Sequence, residues 1–167
     1  RISDYVDKYA AETPDAEAVV FQGDRVTYAE LKRRIDACAR ALLASGIRKG
    51  DRVAMLCTPR TEFWVVFLAT TGIGAVWVGL NPKYRLDEFR HVVGDSKPRL
   101  LFALAEFEGR QYAPDIAALK AGNPKLETVV AISGSIDGAP PFEEFVRRAE
   151  RASEVEYEAA CRAVERM

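Results

Sequence analysis

Between Gly50 and Pro82 the chain reads as strand, helix, strand, and the remaining elements can be placed as packing around that unit. Val53 to Cys57 is an unbroken apolar run bounded by the turn-forming Lys49-Gly50-Asp51, the pattern of a strand covered on both faces rather than one. Thr58 is placed to cap a helix with Pro59 at its first position, where a missing N–H loses no intrahelical bond. From Pro59 to about Thr71, Phe63, Trp64, Val65, Val66, Phe67 and Leu68 leave almost no polar side, which predicts a helix with protein all round it. Gly72 and Gly74 weaken that helix, and Ala75 to Val78 is predicted as a second buried strand ending at Gly79 and Asn81-Pro82.

Upstream, residues 3–12 predict a short helix with Ser3 as cap, Val6, Tyr9 and Ala10 on one face, and a stop before Pro14. Ala18 to Phe21 and Arg25 to Thr27 flank Gln22-Gly23-Asp24 as a hairpin. Thr27-Tyr-Ala-Glu30 has the spacing of a reciprocal cap, Thr27 hydroxyl to the Glu30 N–H and Glu30 carboxylate to the Thr27 N–H, so Glu30 reads as structural rather than catalytic. Leu31, Ile35, Cys38, Ala39 and Leu42 then follow at helical spacing as far as Ser45-Gly46.

Downstream, Leu86, Phe89, Val92 and Val93 mark one helix face. Asp87 and Glu88 suit its positive start, no hydroxyl caps it, and Gly94 is its predicted end. His91 lies off that face and reads as solvated. Arg99 to Leu104 predicts a further buried strand, Tyr112 or Pro114 to Ala121 a helix, and Leu126 to Ile132 another strand. Ser133 to Pro141 is a turn-rich connector, and Phe142 to Ala149 a helix with Phe142, Phe145 and Val146 inward. Residues 150–167, dense in Glu and Arg, read as a peripheral helix or linker. This gives an α/β subdomain over 1–149 and a tail over 150–167, with a mostly parallel sheet flanked by helices.

Composition narrows this picture. With 49% hydrophobic residues in 167, one domain can bury a real core. The formal net charge of −1 gives no field that would draw nucleic acid. Cys38, Cys57 and Cys161 share no close spacing and there is one His, so no zinc set is expected and the thiols read as reduced and cytoplasmic. The uncharged run Phe63 to Leu80 has the length of a membrane span, but its three glycines and the change of periodicity divide it into helix and strand. The polar Arg1-Ile-Ser-Asp-Tyr start predicts no signal peptide.

Three blocks carry a family resemblance: Val26-Thr-Tyr-Ala-Glu-Leu31 followed by Arg48-Lys-Gly-Asp-Arg-Val53; Pro59-x-x-Glu62-Phe-Trp with Ala69 to Asn81-Pro82; and Asp95-Ser-Lys-Pro-Arg-Leu-Leu-Phe102. In order and spacing, over roughly residues 1 to 133, they resemble the N-terminal part of the adenylate-forming, AMP-binding acyl-CoA synthetases. The resemblance implies a ligase of carboxylic acids, using ATP and Mg to form an acyl-adenylate and then CoA to form acyl-CoA, as in fatty acid metabolism. The family's phosphate-binding loop, Mg-binding Glu, ribose-binding Asp and catalytic Lys have no counterpart here. No glycine-rich loop followed by Lys and Ser/Thr exists, and Trp77 stands where a dinucleotide fingerprint would need its third glycine. The resemblance therefore implies a truncated fragment with no catalytic and no metal residues, inactive alone and binding no cofactor tightly. An apolar face left for the rest of the enzyme would favour self-association. The resemblance places CoA contacts at Gly79 and at Arg110; a packing glycine and a surface arginine are the competing reading. The rival for the whole chain is a self-contained α/β binding or interaction module without ligase activity.

Overall fold

The computed structural model describes residues 2–164. In chain order the elements are α1 (Asp4–Glu12), β1 (Glu17–Phe21), β2 (Asp24–Thr27), α2 (Tyr28–Ala44), β3 (Arg52–Leu56), α3 (Thr61–Gly72), β4 (Val76–Leu80) and α4 (Leu86–Ser96). They continue with β5 (Leu100–Leu104), β6 (Glu106–Phe107), β7 (Arg110–Gln111), α5 (Ala113–Gly122), β8 (Thr128–Ser133), α6 (Phe142–Val146), a 3-10 turn (Arg147–Arg151) and α7 (Glu154–Val164). They form two compact units: one of residues 1–50, 59–75 and 146–167, the other of residues 51–58 and 76–145.

The second unit is built on a four-stranded, wholly parallel sheet in the order β4-β3-β5-β8. The apolar runs that predicted buried strands supply its centre, β3 and β5, where Val53 to Leu56 and Leu100 to Leu104 are buried throughout. Because side chains alternate, Ala54, Leu56, Leu101, Ala103, Val129 and Ala131 share one core with Phe89 and Val93 of α4 and Ile116 and Leu119 of α5. Phe102, on the opposite face, meets Phe142 and Phe145 edge-on. β4 differs from expectation. It is an edge strand, with Val76 48% exposed and Gly79 exposed, because an unbroken apolar run does not distinguish an edge from a centre. The helix after it runs past Gly94 to Ser96 and stops where Lys97 turns left-handed at φ 49°. Its start is not uncapped: the Glu88 carboxylate accepts the Arg85 N–H at 2.7 Å.

In the first unit the β1–β2 hairpin closes on two residues, Gln22 and Gly23. Both have positive φ, the geometry that suits strand twist, so Asp24 belongs to β2 rather than to the turn. Thr27 caps α2 through the Glu30 N–H at 3.3 Å. The Glu30 carboxylate does not complete the reciprocal cap expected of it; it is taken by Arg33 and Arg34, which hold its pKa below the usual carboxylate value. Thr27→Ala is expected to cost about 1 kcal/mol in chemical denaturation, all of it from the lost cap; an unchanged midpoint would refute the assignment. Ser3 stands at the α1 cap position but its hydroxyl makes no capping bond. α3 begins at Thr61 rather than Pro59, because Arg60 is fully extended (φ −161°, ψ 178°), and Thr58 caps nothing. Nor is α3 enclosed on every side. Trp64 is 44% exposed and stacks edge-on with Phe63 and Phe67. α7 has no buried residue; it rests on α2 through Tyr157 to Asp36 at 2.7 Å and a pair between Arg40 and Glu154, and on the loop after α2 through Arg48 to Glu156 at 2.9 Å. Among the described residues no helix is long and apolar enough to cross a membrane.

Candidate functional site

All four strands of the second unit point the same way, so their carboxyl ends, Leu56, Leu80, Leu104 and Ser133, lie along one edge of the sheet. From β3 the chain moves outward to β4, then crosses to β5 on the other side and on to β8. β3 and β5 are therefore the neighbours whose connections part, and in open parallel sheets ligands settle outside the strand ends at such a point. The segments leaving this edge are Cys57-Thr58, Asn81 to Arg85, the hairpin β6–β7 and Gly134 to Pro141.

The hairpin decides where Arg110 goes. Its two-residue turn, Glu108 (φ 51°) and Gly109 (φ 81°), folds β7 back on β6 and carries Arg110 to the loop after β4. There the guanidinium donates to the carbonyls of Tyr84 and Pro82, pairs with Asp115 at 2.5 Å, and lies 5.4 Å above the Phe89 ring and 5.0 Å above that of Tyr112. Tyr112, fully buried, donates its hydroxyl to the Pro82 carbonyl at 2.7 Å, and burial pushes its pKa upward despite the nearby Arg110 charge. Asn81 closes the loop from its own side, its amide oxygen accepting the Lys83 N–H at 2.9 Å. One arginine and one tyrosine thus fix the segment from Pro82 to Tyr84, which begins three residues after Gly79.

Of the two CoA-contact candidates, Gly79 is exposed on β4, paired in register with Met55. A Cβ there would stand 2.7 Å from the Trp77 ring, so glycine leaves the room that indole occupies. Arg110 reaches the same loop, yet its guanidinium is engaged by two carbonyls and a carboxylate. The roles of Tyr112 and Asp115 escaped the sequence reading, for which the only signal was a tyrosine and an acidic residue around the start of a helix. His91 is exposed on α4, as expected. Cys38 is fully buried, which pushes its thiol up to about 12 and keeps it a protonated packing group.

Among the described residues no three His, Cys, Asp or Glu side chains gather to hold a metal. The sequence has no glycine-rich loop whose N–H groups and following Lys could surround phosphates.

A model of the family described as AMP-binding enzyme matches residues 6–163. Among curated proteins the chain is 34% identical over 143 residues to the acyl-CoA ligase sidI of Aspergillus fumigatus, covering 80% of this chain and 24% of that protein. It is 38% identical over 130 residues to a feruloyl-CoA synthase of Amycolatopsis sp, covering 78% and 25%. Among solved structures it superposes on MbtA of Mycobacterium smegmatis with TM-score 0.75 at 31% identity, over 87% of this chain and 27% of that one. On the N-terminal domain of FACL13 from Mycobacterium tuberculosis the TM-score is 0.73 at 26% identity, over 91% and 36%. The chain thus spans about a quarter of the length of the curated relatives it matches. Its parallel sheet, its strand ends and this match over nearly every residue lead to one conclusion: the chain belongs to the AMP-binding, adenylate-forming enzyme family, and the curated relatives named are acyl-CoA ligases or synthases.

Proposed function

We propose that this chain is the N-terminal scaffold segment of an ATP-dependent acid–CoA ligase and catalyses neither half-reaction alone. The whole enzyme would join a carboxylate to ATP, releasing pyrophosphate and leaving an acyl-adenylate, and then transfer the acyl group to CoA with loss of AMP. The observation that carries the reading is the family match over residues 6–163, combined with the lack of a phosphate-cradling loop anywhere in the sequence. Adenylation needs converging backbone donors, a lysine and a held cation around concentrated negative charge. The scaffold would then be residues 1–149, with 150–167 as a peripheral helix or linker. The cytoplasm is the compartment that goes with its three cysteines, none of them in a disulfide.

The test is ATP–pyrophosphate exchange with a panel of aliphatic and aromatic acids. It would be run on this chain and on a feruloyl-CoA synthase whose corresponding segment is replaced by residues 1–167. The expected result is no exchange by the chain and retained exchange by the chimera. Exchange by the chain above a heat-denatured control overturns its inactivity, and a folded chimera without exchange overturns the scaffold role.

Two further features belong to this reading. CoA in the whole enzyme would meet the backbone at Gly79 and the outer edge of Arg110, sharing a guanidinium already bound to Asp115. The chain alone would self-associate through the groove in which Ile2, Tyr5, Val20 and Trp64 are 52%, 67%, 54% and 44% exposed. Sedimentation at rising concentration checks this, with a sedimentation coefficient that does not change as the result against it.

A further inference from the structure

A polar cleft in the first unit takes no part in the reading above. It has a volume of about 270 Å³ and lies between the tip of the β1–β2 hairpin and the start of α3, with α2 as its third wall. Three elements each send one arginine to it: Arg25 from β2, Arg34 from α2, and Arg60, the residue before α3. Each guanidinium is anchored by a single carboxylate. Arg25 pairs with Glu17, Arg34 gives its Nε to Glu30 at 2.6 Å, and Arg60 gives its Nε to Glu62 at 2.7 Å while lying 5.5 Å over the Phe21 ring. Among the described residues these are their only hydrogen bonds, which leaves donors of all three uncommitted. That is the arrangement in which arginine binds phosphate with two parallel N–H groups.

The start of α3 adds to this. Arg60 provides no side-chain cap, so the opening N–H groups of the helix and the positive end of its dipole are not neutralised by a capping oxygen. Thr61 supplies an independent observation. It is only 5% exposed and lines the cleft, yet its hydroxyl has no hydrogen-bond partner among the described residues. The oxygen itself is not sealed from solvent, so it bears no burial cost as it stands and is open to a ligand. The cleft also holds two carboxylates, Asp24 and Glu62, and Glu62 competes with any anion for Arg60 and for the helix start.

We propose that this cleft is a binding site for a phosphate group, held by Arg25, Arg34, Arg60 and the Thr61 hydroxyl. It stands independently of the ligase reading, since it uses neither Gly79 nor Arg110. Titration calorimetry at fixed, low ionic strength with inorganic phosphate, AMP and CoA, on this chain and three variants, tests it. Inorganic phosphate should bind saturably at millimolar concentration. Arg60→Gln should weaken binding about tenfold, the usual scale for one lost charge-assisted hydrogen bond. Thr61→Val, nearly isosteric, should weaken it several-fold. Glu62→Gln should tighten it several-fold, a gain that misfolding cannot imitate. Tighter binding of AMP or CoA than of inorganic phosphate would identify a nucleotide-borne phosphate as the ligand, and equal binding a free anion; both support the site. Absence of saturable binding by all three anions overturns it, as does binding that neither Arg60→Gln nor Glu62→Gln alters.

Discussion

Phe102→Ala should lower the stability of the chain by about 4 kcal/mol, within the range for deleting a fully buried aromatic ring. Phe102 sits mid-strand on β5, between Met55 of β3 and Val130 of β8, with no exposed surface. Its ring meets Phe145 at 5.2 Å and Phe142 at 5.9 Å, both edge-on. Truncation would therefore forfeit burial, two oriented ring pairs worth roughly 0.5–1.5 kcal/mol each, and the packing of whatever cannot close on the hole. α6 is only five residues long, too short to hold its shape without tertiary contacts, so loosening Phe142 and Phe145 should also free that turn of helix. The melting temperature should fall by on the order of 10 °C for a chain of this size. Phe102→Leu, which keeps most of the volume, should lose less than half as much. A loss below about 1 kcal/mol for the alanine variant would show that Phe102 does not anchor this face of the sheet.

How far such residues can be read from sequence depends on the range of the physics that places them. β3 and β5 were legible because a strand covered on both faces must be apolar at every position, as Val53 to Leu56 and Leu100 to Leu104 are. The Thr27 cap was legible because its bond spans three residues. The start of α3 was misplaced for the opposite reason: Thr58-Pro59 has a good local cap signature, but the chain stays extended through Arg60. Gly94 looked like a helix end by composition, yet glycine only permits a stop, and the left-handed residue is Lys97. β6 and β7, two residues each, are too short to show any periodicity; Glu108-Gly109 was the one available signal. The surroundings of Arg110 were hidden altogether, because two of its partners are backbone carbonyls some 26 and 28 residues earlier, and any residue type can offer a carbonyl.

Those surroundings lead to the second large effect. Arg110→Ala should destabilise the chain by about 3 kcal/mol, more than an exposed arginine ever costs. The guanidinium ties three things together: the carbonyls of Pro82 and Tyr84, the Asp115 carboxylate, and the faces of Phe89 and Tyr112. Asp115 matters most, since its side chain is only 14% exposed and would be left as a nearly buried charge without its counterion. Two variants separate that contribution from the others. Arg110→Lys keeps a charge for Asp115 but has no planar fork to reach two carbonyls and lie on two rings, so it should recover part of the loss and no more. Asp115→Asn in the Arg110→Ala background removes the stranded charge and should restore stability relative to Arg110→Ala alone, a non-additivity that a double-mutant cycle reads directly. The same cycle bears on CoA. If Arg110 meets CoA in the whole enzyme, Asp115→Asn alone frees its guanidinium and should lower KM for CoA while kcat stays unchanged. A purely structural Arg110 would leave KM where it was and move only the denaturation midpoint. Full stability in Arg110→Ala would refute the clamp and return Arg110 to the surface role that its place in an acidic loop first suggests.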